Sequence, residues 1–181
     1  KKKKILAIIP ARSGSKRIKN KNLKKINGIS LVEHAARCLK KIKIIDHIHV
    51  STDGKKIFQQ AEKLNLPPLF YRLKKFSGSK VSDFKVVQFV LKKIEKILKT
   101  KFDIILLIQP TSPNRKKKDV IDCIKLLDKK KASSVWTLSK TDFKFHPLKQ
   151  FEIHNNKLKF CDQRGSKIVA RQQLNQVYHR N

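Results

Sequence analysis

Two stretches of this chain are apolar without alternation: Ile5 to Ile9, ending at Pro10, and Ile104 to Ile108 inside Asp103–Gln109. Unbroken runs of this length are the pattern of parallel strands buried on both faces, and both are expected to be central strands. His47–Ser51 alternates apolar and polar positions as a third strand, and Ser133–Leu138 reads as a fourth. Between them the period changes to that of a helix. Ser30-Leu31-Val32-Glu33 is a capping-box sequence, followed by Leu31, Val32, Ala35, Ala36 and Leu39 on one face. Lys55–Leu64 can form a second helix. Ser82 can cap a long third one with Val86, Val87, Val90, Leu91, Ile94 and Leu98 inward, and Asp119–Lys130 repeats the theme through Val120, Ile121, Ile124 and Leu127.

Strands alternating with helices of this length predict βαβ units, an α/β fold with a mainly parallel sheet, and ligands beyond the carboxyl ends of the strands. The loops after Ile9 and Ile108 are therefore the places to look. From His146 the alternation stops. Phe151–Ile153 and Lys157–Phe160, separated by His154, Asn155 and Asn156, read as a small hairpin. The expected organisation is a core over residues 1–145, an excursion over 146–176, and a return to the core at 177–181.

Composition narrows the function less than its extremes suggest. The 181 residues carry 45 Lys+Arg against 13 Asp+Glu, a formal net charge of +32. Such a charge first suggests nucleic acid. However, 37 of the basic residues are Lys and 8 are Arg, and the Lys are spread evenly from end to end rather than patched. Dispersion favours a solvated Lys surface over a phosphate-reading face, for which Arg is the better tool. No apolar run approaches the roughly 20 residues of a membrane span, so a soluble chain without a signal peptide is expected. Cys38, Cys123 and Cys161 are too few and too far apart for a disulfide framework or a zinc site, which fits a reducing cytoplasm. His47 and His49 share one face of a strand, and without a third ligand nearby they read as a half-exposed strand face.

The candidate chemistry sits in the two strand-end loops. After the first strand, Gly14, Ser13 and Ser15 allow backbone N–H groups to approach a phosphate, with Arg12, Lys16, Arg17 and Lys21 as countercharge. Neither a Walker A loop nor a dinucleotide fingerprint is present. After the most apolar strand, Gln109-Pro110-Thr111-Ser112-Pro113 places an amide and two hydroxyls at the ligand edge. Asp53, at the end of another strand, is a candidate general base, although an Asp there also serves as a turn or cap residue.

These residues resemble a known family, the CMP-sialic acid synthetases, or acylneuraminate cytidylyltransferases. The resemblance rests on Ile8-Ile9-Pro10-Ala11-Arg12-Ser13-Gly14-Ser15-Lys16 with Lys21-Asn22-Leu23, then Ser51-Thr52-Asp53 and Gln109-Pro110-Thr111-Ser112-Pro113 with Arg115. His146-Pro147-Leu148-Lys149 and Arg171-Gln172-Gln173-Leu174, before Tyr178 and Asn181, follow in the same order. It implies a Rossmann-like nucleotidyltransferase that transfers CMP from CTP to a nine-carbon 2-keto-3-deoxy sugar acid, with magnesium, in the biosynthesis of cell-surface polysaccharide. By resemblance, Ala11, Arg12, Gly14, Ser15, Lys21, Asn22, Arg72 and Ser82 lie along the CTP site, with Arg12 and Lys21 on the triphosphate. Gln109 then lies near the sugar, Lys149 and Arg171 reach its carboxylate, and Tyr178 lines the same pocket. The excursion is a dimerisation segment in that family, so a homodimer is implied.

Two departures qualify the likeness. The family's aspartate after its conserved arginine falls near Ser79 or Lys80, and the aspartate pair that holds magnesium would lie beyond residue 181, leaving the metal ligands unknown. The chain is therefore expected to be either a fragment of a longer protein or a short form that binds without turning over. Legionaminic or pseudaminic acid are the alternative substrates. The eight-carbon acid Kdo fits less well with Lys21-Asn22, where its synthetases carry Lys-Pro. A basic nucleic-acid-binding protein is the reading from a different class.

Overall fold

A computed structural model of the chain describes residues 2–15 and 18–180. In order these form β1 (Ile5–Pro10), the short pair β2 (Lys25–Ile26) and β3 (Ile29–Ser30), α1 (Leu31–Lys40), β4 (His47–Ser51), α2 (Lys55–Lys63), α3 (Asp83–Leu98), β5 (Ile104–Leu107), α4 (Lys117–Lys129), β6 (Leu138–Lys140), β7 (Phe151–His154), β8 (Lys157–Phe160) and β9 (Tyr178–Arg180). The chain divides into two compact units, Lys1–Ile121 and Asp122–Asn181. Contacts thus divide it at 121/122, earlier than the core end expected at residue 145.

The first unit is built on a parallel three-stranded sheet of order β4-β1-β5. β1 is its centre, as its apolar run predicts. Leu6 and Ile8 face α3 and pack on Val86, Val90 and Ile94, while Ala7 and Ile9 on the opposite face are equally inaccessible. Each large side chain buried this way contributes roughly 1.5–3 kcal/mol. The α/β architecture is as predicted, but β5 lies at an edge among the described strands rather than in the centre. Its last residue, Leu107, is 37% exposed, because a run of apolar residues reports burial potential and not the number of neighbouring strands.

α1 buries the five residues its periodicity names. Ser30 caps it by accepting from Glu33 N at 3.3 Å. The reciprocal half of the capping box is absent, because the Glu33 carboxylate pairs instead with Arg37 (2.6 Å) and accepts from Gln60 (3.2 Å). α3 starts at Asp83 with Ser82 as its cap. The strand expected at Ser133–Leu138 forms instead at Leu138–Lys140, paired antiparallel with β9.

In the second unit β7 and β8 form the predicted hairpin, with Phe151 opposite Phe160 and His154 opposite Lys157. Its two-residue turn places Asn155 and Asn156 at φ 50° and 58°. That double left-handed turn matches the twist of a hairpin, and Asn tolerates it. Cys38 and Cys161 are free thiols, and among the described residues no helix is long and apolar enough to cross a membrane.

Candidate active site

The strand order decides where a ligand can sit. From β1 the chain passes through α1 to β4 on one side, then through α2 and α3 to β5 on the other. Connections that diverge in this way open a crevice beyond the carboxyl ends of the strands, here between β1 and β5. A cavity of about 700 Å3 lies there. Its lining includes Arg12, Ser15, Lys21 and Asn22 from the loop after β1, Arg72, Asp83 of α3, and Gln109 and Thr111 after β5.

The loop after β1 is pinned by its neighbours. Ala11 N donates to Ser51 O at 2.9 Å, which extends the β1–β4 ladder one step past the strand. Asp53 then accepts from Ser13 N at 2.8 Å and from Ser13 Oγ at 3.0 Å. Gly54 permits this approach, since a Cβ there would fall 2.7 Å from Ser13 Cβ. Buried Asn22 donates to Arg12 O at 3.0 Å, tying the far side of the loop to its start. Arg12 itself donates to Gly14 O.

Arg72 is 5% exposed yet lines the cavity. Its Nε donates to Ser51 Oγ at 2.9 Å and Nη2 to Ser51 O, so the side chain is held by the end of β4. Burial pulls its pKa down to about 10; Asp53 and Asp83 oppose that shift and Arg12 adds to it. The site thus holds cations close together, one of them desolvated, which favours a polyanion between them.

On the other wall, Gln109 Nε2 donates to Asp83 Oδ2 at 2.8 Å. Arg115 does not line the cavity. Its Nη1 donates to Gln109 O at 3.1 Å and fixes the turn after β5.

Of the residues expected along a nucleotide, Arg12, Ser15, Lys21, Asn22 and Arg72 come together here with Gln109. Ala11 and Gly14 belong to the same loop without lining the cavity, and Ser82 serves as the α3 cap, accepting from Lys85 N at 3.4 Å. Lys16 and Arg17 lie outside the described residues. Asp53, the candidate base, does not line the cavity, and each of its oxygens accepts from Ser13. Asp83 was missed in the sequence, since Ser-Asp before an apolar-periodic run reads simply as a helix start.

In the second unit, Lys149 and Arg171 line a cavity of about 240 Å3. Tyr178 is not among its lining residues; it lies on β9 opposite Lys140 and is 55% exposed. Lys149 belongs to a short turn begun by buried His146, whose Nδ1 accepts from Leu148 N at 3.2 Å. The guanidinium of Arg171 sits 4.5 Å over the Phe143 ring. Elsewhere, His49 is not on a half-exposed face as expected. It is 1% exposed and stacked on Phe70 at 4.7 Å. Among the described residues no group of three or more His, Cys, Asp or Glu side chains could hold a metal ion.

A family model described as cytidylyltransferase matches residues 6–180. The chain belongs to this cytidylyltransferase family. It is 30% identical over 109 residues to the CMP-N,N'-diacetyllegionaminic acid synthase of Campylobacter jejuni, covering 60% of this chain and 46% of that one. It is 28% identical over 177 residues to the pseudaminic acid cytidylyltransferase of the same species, covering 96% and 74%. The chain spans about half the length of several curated relatives. Among solved structures, a CMP:2-keto-3-deoxy-manno-octonic acid synthetase complexed with CTP superposes with a TM-score of 0.61 at 20% identity, covering 77% of this chain and 54% of that one. At that identity the likeness shows the α/β fold alone.

Proposed function

We propose that this chain carries the nucleotide site of a cytidylyltransferase that transfers CMP from CTP to a nonulosonic acid and releases pyrophosphate. The observation that carries the reading is the convergence of Arg12, Lys21 and Arg72 on one cavity at the divergence of β1 and β5, in a chain of this family. Attack of the sugar's anomeric hydroxyl on the α-phosphorus places negative charge on the phosphoryl oxygens and the leaving pyrophosphate. Fixed cations offset that charge without reorganising. Arg12 and Lys21 would meet the triphosphate, with Ala11, Gly14, Ser15, Asn22, Arg72 and Ser82 along the nucleotide and Gln109 toward the sugar. Lys149 and Arg171, which share a cavity in the second unit, would take the sugar carboxylate. Tyr178 and a homodimer complete the proposal by resemblance. Magnesium belongs to the chemistry that the resemblance implies.

Relatives named for legionaminic and pseudaminic acids favour those sugars alongside N-acetylneuraminate. The test is pyrophosphate release by the purified chain with CTP and each of these acids in turn, Kdo, ATP and GTP serving as controls, together with melting in CTP. CTP-dependent release with one acid is the expected result. Stabilisation by CTP without release supports a nucleotide site on a catalytically silent chain, and the absence of any CTP effect refutes the assignment.

A further inference from the structure

We propose that Asp83 fixes the orientation of the Gln109 amide, so that Gln109 Oε1 accepts a hydrogen bond from a hydroxyl or N-acyl amide of the sugar acid. The inference rests on the functional reading above and extends it to a residue that reading leaves unused. A carboxylate can only accept. The contact at 2.8 Å between Gln109 and Asp83 Oδ2 must therefore be made by the amide NH2 group, whichever way the two ends of the amide would otherwise turn. That leaves Oε1 as the remaining polar atom of a side chain on the cavity wall, and no described residue donates to it.

Both partners stand on fixed elements. Gln109 follows β5, and its own carbonyl accepts from Arg115 Nη1 at 3.1 Å and Ser112 N at 3.5 Å. Asp83 is the first residue of α3, capped by Ser82 and anchored through Val86, Val90 and Ile94 on Leu6 and Ile8. A site group held this way selects by geometry.

The charge pattern says which part of the substrates faces this corner. Among the described lining residues Asp83 is the one carboxylate, in a cavity that also holds Arg12, Lys21 and Arg72. Phosphates are drawn to the cations and repelled by the carboxylate. That leaves hydroxyl and N–H donors for the carboxylate and the amide oxygen, and because the functional reading above sets Gln109 toward the sugar, those donors belong to the sugar acid.

The test compares wild type with Asp83→Ala and Asp83→Asn, using the full chain. N-acetylneuraminate, N,N'-diacetyllegionaminate and pseudaminate are each titrated into protein saturated with CTP in the presence of EDTA, and CTP affinity is followed by melting. Asp83→Ala should weaken acid binding about tenfold, at least fivefold more than it weakens CTP. Asn keeps an oxygen that accepts from Gln109 Nε2, and should restore acid binding to within about threefold of wild type. Equal acid affinity in Asp83→Ala overturns the proposal. So does an Asn variant as weak as Ala, which would mean that the charge itself is contacted. Wild type that binds CTP but none of the acids overturns it and leaves the nucleotide site standing, whereas no CTP effect in wild type refutes the functional reading first. If Asp83→Ala melts before it can be titrated, the Asn variant against wild type decides, and more than threefold weakening refutes.

Discussion

His49 gives the sharpest prediction because its environment has one consequence that can be worked through. It lies on β4 opposite Ile8, stacked on Phe70, and neither ring nitrogen has a partner. Burial, with smaller contributions from His47 on the same strand face and from Arg72, pulls its pKa from 6.5 to about 3. The unfolded chain therefore binds a proton at this site below pH 6.5 while the folded chain refuses it, so stability falls as pH drops through the unfolded value. At pH 5 the folded imidazole is still neutral and the unfolded one is protonated over about 1.5 pH units, a loss of about 2 kcal/mol at roughly 1.36 kcal/mol per unit. At pH 7.5 the loss is close to zero. His49→Leu removes the titration and the unpaired nitrogens at similar volume. Urea unfolding of both proteins at pH 7.5 and 5 is the assay. The leucine variant should lose about 2 kcal/mol less than wild type between the two pH values, because His47 and the carboxylates remain in both and cancel. Equal losses would refute the argument that this histidine is held neutral in the fold.

Asp53→Ala removes both acceptors that hold Ser13, so the loop after β1 should loosen and CTP affinity fall roughly tenfold, about 1.4 kcal/mol, as read by the CTP-induced melting shift. An unchanged shift would show that the loop holds its shape without the clamp. In the second unit, a Cβ at Gly165 would lie 2.3 Å from Leu148 O and 2.7 Å from Phe160 Cδ1. Gly165→Ala should therefore cost roughly 1–3 kcal/mol and expose the β7–β8 hairpin to limited proteolysis, and a variant as resistant as wild type would contradict that packing. Ser30→Ala should cost about 1 kcal/mol in unfolding experiments, the usual value of an N-cap, since only one half of the capping box is formed.

What the chain displays to a reader of its sequence follows from how locally each feature is determined. β1, α1, β4, α2 and the β7–β8 turn are set by periodicity, a cap or a pair of asparagines within a dozen residues, and each forms where those signals put it. The features that were not legible depend on partners far away. β6 takes its position from β9, about 40 residues later, so the alternation at Ser133–Leu138 could not place it. β5 has the composition of a central strand and an edge position, because composition does not count neighbours. His49 alternates with apolar residues like a solvent-facing position, and only the placement of Phe70 and α3 over that face buries it. At the site, the cationic loop was readable from Gly14, its serines and its basic residues. The Asp53 clamp and the Asp83–Gln109 contact were not, because each joins loops or elements that are brought together only when the sheet forms.

The same reasoning explains why a chain of net charge +32 can possess a site at all. Most of its lysines are solvated, and an exposed lysine attracts an anion weakly, with screening over about a Debye length. Arg72 differs from them through confinement and not through charge. It is 5% exposed, tied by two donors to Ser51, and its pKa is pulled down to about 10 by burial despite two nearby carboxylates. A cation in that state has given up water without gaining a direct carboxylate partner. Under the proposed function an arriving triphosphate would restore what burial removed, and Asp53, which accepts from Ser13, would hold the loop carrying Arg12 in the position to share it. Affinity at this cavity is therefore expected to depend on the few groups that the β1–β4 edge immobilises, and to be largely insensitive to neutralising any comparable number of surface lysines.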